Sequence, residues 1–222
     1  MNVDPRAVLA EFVGTAFLLA GVVGSGIMAE RLTDDVGLQL LQNALATAGV
    51  LIALITALSS VSGAHFNPAV TLTERALGGI DSVTAAAFIA AQVIGGIFGV
   101  MIANLMFDLD PIYWSEKARD GSGQMVAEVV ATLGLLLVIY GSVRSHKEAA
   151  VPLVVGSYIA GAYYFTSSTS FANPAVSIAR MFSNTFAGIS PASTPGFIAA
   201  QLAGTAVAIA LIRLLFPDKT PS

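Results

Sequence analysis

Long apolar runs broken by short polar segments set the pattern of this chain. Between Arg6 and Glu30 the only charge is Glu11. No charge falls between Asp35 and Glu74, Asp81 and Asp108, Glu148 and Arg180, or Arg180 and Arg213. A shorter run, 124–143, carries Glu128 near its start. Each run can supply the roughly 20 apolar residues that cross a hydrocarbon core. The pattern predicts six membrane-spanning helices, at 7–28, 37–60, 83–107, 124–143, 150–166 and 195–216. A β-barrel would show short alternating segments instead.

Two Asn-Pro pairs interrupt this pattern, in "GAHFNPAVTL" from Gly63 and "SFANPAVSIA" from Ser170. Asn is a favoured helix N-cap, because its side-chain oxygen accepts an orphan backbone N–H. Pro suits the first helical position, where its missing N–H costs nothing. Asn67-Pro68-Ala69 and Asn173-Pro174-Ala175 therefore each predict a helix start. The first helix should run over 68–77 and stop at Gly78-Gly79, the second over 174–183. At about 1.5 Å per residue each is roughly 15 Å long, half of a hydrocarbon core of about 30 Å. The segments before them, "SSVSGAH" and "TSSTSFA", are small and hydroxyl-rich. Non-helical backbone at that depth must be buried in protein or line water. Both segments are read as re-entrant, a loop dipping to the midplane and a half-helix climbing back.

The chain also repeats itself. "AEFVGTAFLL" from Ala10 answers "AEVVATLGLL" from Ala127, Asn67 answers Asn173, and "FIAAQ" from Phe88 answers "FIAAQ" from Phe197. Three matches in order place one repeat at 7–107 and another at 124–216 within a single domain, 1–222. Three spans per half make the second half enter from the opposite side, an inverted repeat with its site at the midplane. The half-helix N-termini, each carrying about +0.5 charge of helix dipole, then face one path and form a barrier to cations and protons.

Composition narrows the function. Of 222 residues 55% are hydrophobic and 11% charged, against about 25% charged in soluble domains. The net charge is −4 without a basic cluster, so nothing points to nucleic acid. Cysteine is absent, which excludes disulfides and thiolate metal sites. The start lacks a basic region with a cleavage site, so the first helix is read as retained. With both termini cytoplasmic, the inner segments hold Arg6, Arg75, Arg144, Lys147, Arg213 and Lys219. The outer ones hold Arg31, Lys117, Arg119 and Arg180, a slight positive-inside bias.

Paired NPA boxes in an inverted repeat, with a Glu early in the first and fourth spans and a Gln in the third and sixth, resemble the aquaporins, the major intrinsic protein family. The resemblance covers nearly the whole chain. It implies an all-α membrane protein of six transmembrane helices plus two re-entrant half-helices, forming homotetramers with one pore per subunit. It implies passage of water and small neutral solutes through the bilayer without a cofactor or enzymatic chemistry. Carried over, Asn67 and Asn173 are the central pore amides and His65 the histidine beside the first box. Glu11 and Glu128 resemble the acids that accept N–H bonds from the re-entrant loops. Glu11 lies one turn inside its span and can instead reach the interface, but its repeat partner Glu128 favours the brace. Gln92 and Gln201 either serve similarly or hydrogen-bond between helices.

The family's four selectivity-filter positions fall by spacing at Thr47, Gly161, Ser170 and Val176. The water-selective pattern is Phe, His, a small residue and Arg, and the glycerol pattern is Trp or Phe, Gly, an aromatic and Arg. Neither an aromatic nor the Arg occupies these positions here. A wider, uncharged constriction is the expectation, open to glycerol, urea and metalloid hydroxides such as arsenous acid. That filter resembles the aquaporin branch associated with arsenic handling in bacteria. Arg180, one turn beyond Val176 on the same face, either narrows the outer mouth and restores water selectivity or bonds to the outer loop. A secondary transporter would need ionisable groups at the midplane to couple transport. The second, third and fifth spans have none. His146 is read as a solvated loop histidine.

Overall fold

The computed structural model describes residues 3–217; Lys219, counted above among the inner cations, lies outside them. All regular structure among the described residues is helical. In order it comprises α1 (Pro5–Leu32), α2 (Val36–Ser62), α3 (Pro68–Ala76), α4 (Ser82–Met106), α5 (Ser122–Arg144), α6 (Val151–Phe165), α7 (Pro174–Ala179) and α8 (Thr194–Leu215). Turns of 3-10 helix precede α6 at Glu148–Ala150 and extend α7 at Arg180–Phe182. Polar caps set several starts. Asp4 accepts from the Arg6 amide, Asp35 from Leu38, and Asp81 from both Val83 and Thr84.

Among the described residues α1, α2, α4, α5 and α8 are long and apolar enough to span a bilayer. The sixth expected span, α6, has 15 residues. Its start is taken by the 3-10 turn and its end by the Thr166 cap, which is already extended. The half-helices match expectation: α3 closes at Leu77 just before Gly78 at φ +87°. The second ends as a 3-10 turn rather than α-helix.

The repeat governs packing. In the first half α1 packs on α4, and in the second α5 packs on α8, while α2 meets α6 across the halves. Glycine allows the close approach. A Cβ on Gly95 would lie 2.3 Å from the Phe12 carbonyl oxygen, and one on Gly99 2.1 Å from that of Ala16. In the second half a Cβ on Gly204 would lie 2.6 Å from the Val129 carbonyl oxygen. Gly95 and Gly204 are repeat counterparts, as are Phe12 and Val129. Small residues let helix backbones touch where lipid supplies no hydrophobic drive for association.

This contact gives the first expected result. Gly99→Ala gains helix propensity of about 1 kcal/mol but drives a methyl into backbone, which side-chain rotation cannot relieve. Overpacking of this kind costs about 1–3 kcal/mol or more. The variant should melt at lower temperature in detergent, read by loss of the monodisperse species on heating. An unchanged melting temperature would show that α1 and α4 can separate freely.

Candidate functional site

Each half-helix begins as its Asn-Pro pair dictates. The Asn67 side-chain oxygen accepts from the Ala69 amide at 2.9 Å, and that of Asn173 from Ala175 at 3.0 Å and Val176 at 3.2 Å. The loops before them share an unusual backbone. Gly63, Ala64 and Phe66 have positive φ, and so do Thr169, Ser170 and Ala172, their counterparts 106 residues on. Non-glycine residues in this region cost of order 1–3 kcal/mol each and persist only where surroundings enforce them.

Two buried carboxylates do the enforcing. Glu11 accepts from the His65 amide at 2.9 Å, the Phe66 amide at 2.7 Å and the Ser62 hydroxyl at 2.6 Å. Glu128 accepts from the Phe171 and Ala172 amides, both at 2.9 Å. Both are fully buried, so Glu11 does not reach the interface. Each glutamine joins its own half. Gln92 Nε2 donates to Glu11 at 2.7 Å and to Thr71 Oγ1 at 2.9 Å. Gln201 Nε2 donates to Glu128 at 2.6 Å and to Ser177 Oγ at 2.8 Å. The glutamines thus tie carboxylate to half-helix within each half.

The two loops are joined at their tips. Asn67 Nδ2 donates to the Ala172 carbonyl and Asn173 Nδ2 to the Phe66 carbonyl, each at 2.8 Å. Both asparagines line a cavity of about 390 Å³ that runs past the tips of both loops. One N–H of each amide is thereby committed to the opposite loop. Towards one end the cavity is lined by His65, Glu74, Tyr140 and Glu148, towards the other by Thr47, Tyr163, Ser170, Val176 and Arg180. His65 Nδ1 lies 3.1 Å from Thr71 Oγ1, and Tyr140 donates to Glu74 at 2.9 Å.

Thr47, Ser170 and Val176 reach the lining from their expected elements; Gly161 does not. It is exposed, and a Cβ there would meet nothing within 4 Å. On α6 the lining residues Val151, Val155, Ile159 and Tyr163 recur every four residues, with Pro152 beside the first. Gly161 is two positions out of step, on the far face of the helix. Counting back from the second box crosses the extended stretch after Phe165, where helical spacing does not apply. Tyr163 is the α6 lining residue beside Thr47, its hydroxyl 3.1 Å from Thr47 Oγ1. An aromatic ring and a guanidinium, absent from the four positions read by spacing, thus reach the lining from Tyr163 and Arg180. The four-residue stripe on α6 was the signal that would have found Tyr163.

Arg180 combines a place in the lining with a bond to a loop. It is 2% exposed and lines the cavity, yet its Nε donates to the carbonyl of Ala187, in the loop before α8. Its guanidinium carbon sits 3.5 Å from the centre of the Phe171 ring. Arg119, on the long loop after α4, stands over the same ring at 4.9 Å. That loop is laid across the end of α7 by Tyr113 and Ser115 amides donating to Phe182 and Met181. Asn104 reinforces it, donating to the Phe182 carbonyl at 2.8 Å. Burial lowers Arg119 to about 10 and Lys117 beside it to about 8, so both are cationic at neutral pH. No spacing or motif pointed to Arg119 or Phe171, since only the folded loop brings them together.

The sequence and fold have clear relatives. Residues 3–172 match the model of the Major intrinsic protein family. Aquaglyceroporin AqpS of Rhizobium meliloti (strain 1021) is 50% identical over 97% of this chain and 92% of its own length. Aquaporin Z of Photorhabdus laumondii is 30% identical over 96% of this chain and 99% of its own. The X-ray structure of the aquaglyceroporin from Plasmodium falciparum superposes with a TM-score of 0.78 over 96% of this chain and 97% of that one, at 20% identity, a likeness of fold. Apolar spanning helices, braced half-helices and these matches agree: the chain is a multi-pass membrane protein and belongs to the major intrinsic protein family of channels.

Proposed function

We propose that the chain is a passive channel of the cell membrane for water and small uncharged solutes: glycerol, urea, and metalloid hydroxides such as arsenous acid. The observation that carries this reading is one cavity lined by both Asn-Pro amides, where two half-helices from opposite faces meet. Two helix N-termini there oppose cations, while the asparagine side chains and hydroxyls of Thr47 and Ser170 offer bonds to a neutral solute. The name of the Rhizobium meliloti relative supports solutes larger than water. Val176 contributes to the breadth of the passage, since it carries no polar group and is shorter than an arginine. We place both termini in the cytoplasm and the functional unit in a homotetramer, one pore per subunit. Glu11, Glu128, Gln92 and Gln201 act as braces that fix the loops.

A second reading, a water-selective channel, has one observation in its favour: Arg180 and Tyr163 both line the cavity. Swelling and shrinking assays on proteoliposomes decide between them. Glycerol and urea permeability well above that of empty liposomes, insensitive to an imposed ion gradient, is expected. Val176→Arg should lower glycerol and urea flux several-fold more than water flux, and Thr47→Phe should act likewise by size. Tyr163→Ala should raise the glycerol-to-water ratio several-fold. A parent that passes water and excludes glycerol and urea would establish the second reading. Equal effects of Val176→Arg on all fluxes would remove Val176 from the constriction.

A further inference from the structure

Two guanidinium groups, those of Arg119 and Arg180, stand at the outer end of the cavity around Phe171. Arg119 donates from Nε to the Gly188 carbonyl at 2.8 Å, from Nη1 to Ser168 at 3.4 Å and from Nη2 to Phe186 at 3.3 Å. Arg180 donates from Nε to the Ala187 carbonyl. Every acceptor is a backbone carbonyl, so neither guanidinium is neutralised by a bonded acid. Both face one ring, Phe171, and so lie within the sum of two short distances of each other. The nearby carboxylate of Glu128 is already engaged by two amides and Gln201.

Arg119 has all three nitrogens occupied. Arg180 does not: among the described residues only its Nε is engaged, and Nη1 and Nη2, unbonded yet not enclosed, are open to the cavity that Arg180 lines. Ser170 Oγ, 3% exposed on the same cavity wall, is also buried without a partner. A buried hydroxyl left unmet, as at Ser170, is uncommon and costly. The two terminal nitrogens of a guanidinium form a planar fork that fits two oxygens on one carbon. The Ser170 hydroxyl, lining the same cavity, adds one more donor.

We propose that Arg180 and Ser170 form a binding subsite for small carboxylates at the outer end of the pore, with Arg119 as a positioning residue that holds Phe171 and adds charge. The anion places its two oxygens on Arg180 Nη1 and Nη2, and Ser170 donates to one of them. A neutral amide of equal size matches only one arm of the fork. The subsite rests on the channel reading only in its location on the solute path; binding itself needs no flux. A carboxylate held there occupies the passage and slows the solutes behind it.

The probes are formate and formamide. Saturation-transfer NMR on the detergent-solubilised full chain should give a signal from the formate proton that chloride at equal ionic strength does not abolish. Formamide should give a weaker one. Arg180→Gln should reduce the formate signal at least fivefold, Arg180→Lys by less, and Arg119→Gln by two- to threefold. In proteoliposomes formate should slow glycerol efflux more than formamide does, each variant being referred to its own uninhibited flux. Equal formate signals from the parent and a folded Arg180→Gln variant overturn the subsite, as does equal binding of formate and formamide. Should Arg180→Gln fail to fold, Ser170→Ala replaces it and must lower the formate signal at least twofold. Formate binding in a parent without solute flux would leave the subsite standing and defeat the channel reading.

Discussion

Replacing Glu128 by Ala should abolish channel activity and most of the folded protein with it. Among the described residues the carboxylate accepts from the Phe171 and Ala172 amides, and it holds Gln201 Nε2 as well. Each buried donor left without a partner costs about 1–3 kcal/mol, and three at once approach the whole stability of a typical domain, about 5–15 kcal/mol. The loss falls on backbone already in an unfavourable region at Thr169, Ser170 and Ala172. Relaxation of that loop withdraws the Ala172 carbonyl from Asn67, so the damage spreads to the other half. Glu128→Gln keeps one acceptor but turns an NH₂ group on donors, and should retain part of the folded fraction. Size-exclusion profiles, detergent melts and liposome flux measure all three consequences. A folded Glu128→Ala protein with parental flux would mean that the loop needs no carboxylate.

The second large effect concerns charge at the meeting point of the loops. Asn173→Asp keeps the capping oxygen that accepts from Ala175 and Val176. It loses the donor to the Phe66 carbonyl and adds a negative charge beside the helix N-termini. At an effective dielectric of about 20, a unit charge 4 Å from a permeating cation contributes about 4 kcal/mol of attraction. Since about 1.4 kcal/mol is a factor of ten, cation leak should rise by roughly two to three orders of magnitude. Asn67→Asp should act similarly, because its own donor serves Ala172 in the same way. Potassium and proton currents across planar bilayers are the measurement. Currents at the parental level in both folded variants would refute the electrostatic barrier.

Much of this arrangement is legible in the amino-acid sequence. The half-helix starts followed from Asn and Pro at fixed positions, because capping is local chemistry. The inverted repeat was readable because Glu11 and Glu128, Gln92 and Gln201, and the two boxes keep their order. The partners of those residues were not readable, since Glu11 meets His65 and Phe66, 54 and 55 residues on, only after the chain has turned back. Gly161 failed for a related reason: spacing along the chain converts to position on a helix only while the chain remains helical. Arg119 and Phe171 left no trace because their meeting depends on where a long loop comes to rest.

The crossed asparagine bonds carry a consequence for biogenesis. A ribosome delivers α1 to α4 to the bilayer before α5 exists. At that moment the first loop has its carboxylate brace, yet Asn67 lacks the Ala172 carbonyl and Phe66 lacks the Asn173 amide. The tip of the first loop can be closed only by a segment that enters later and from the opposite face. An early release of the amino-terminal half would therefore leave two polar groups unmet at bilayer depth, where each costs several kcal/mol. Quality control in the membrane has a physical mark to read, and completion of the second half erases it.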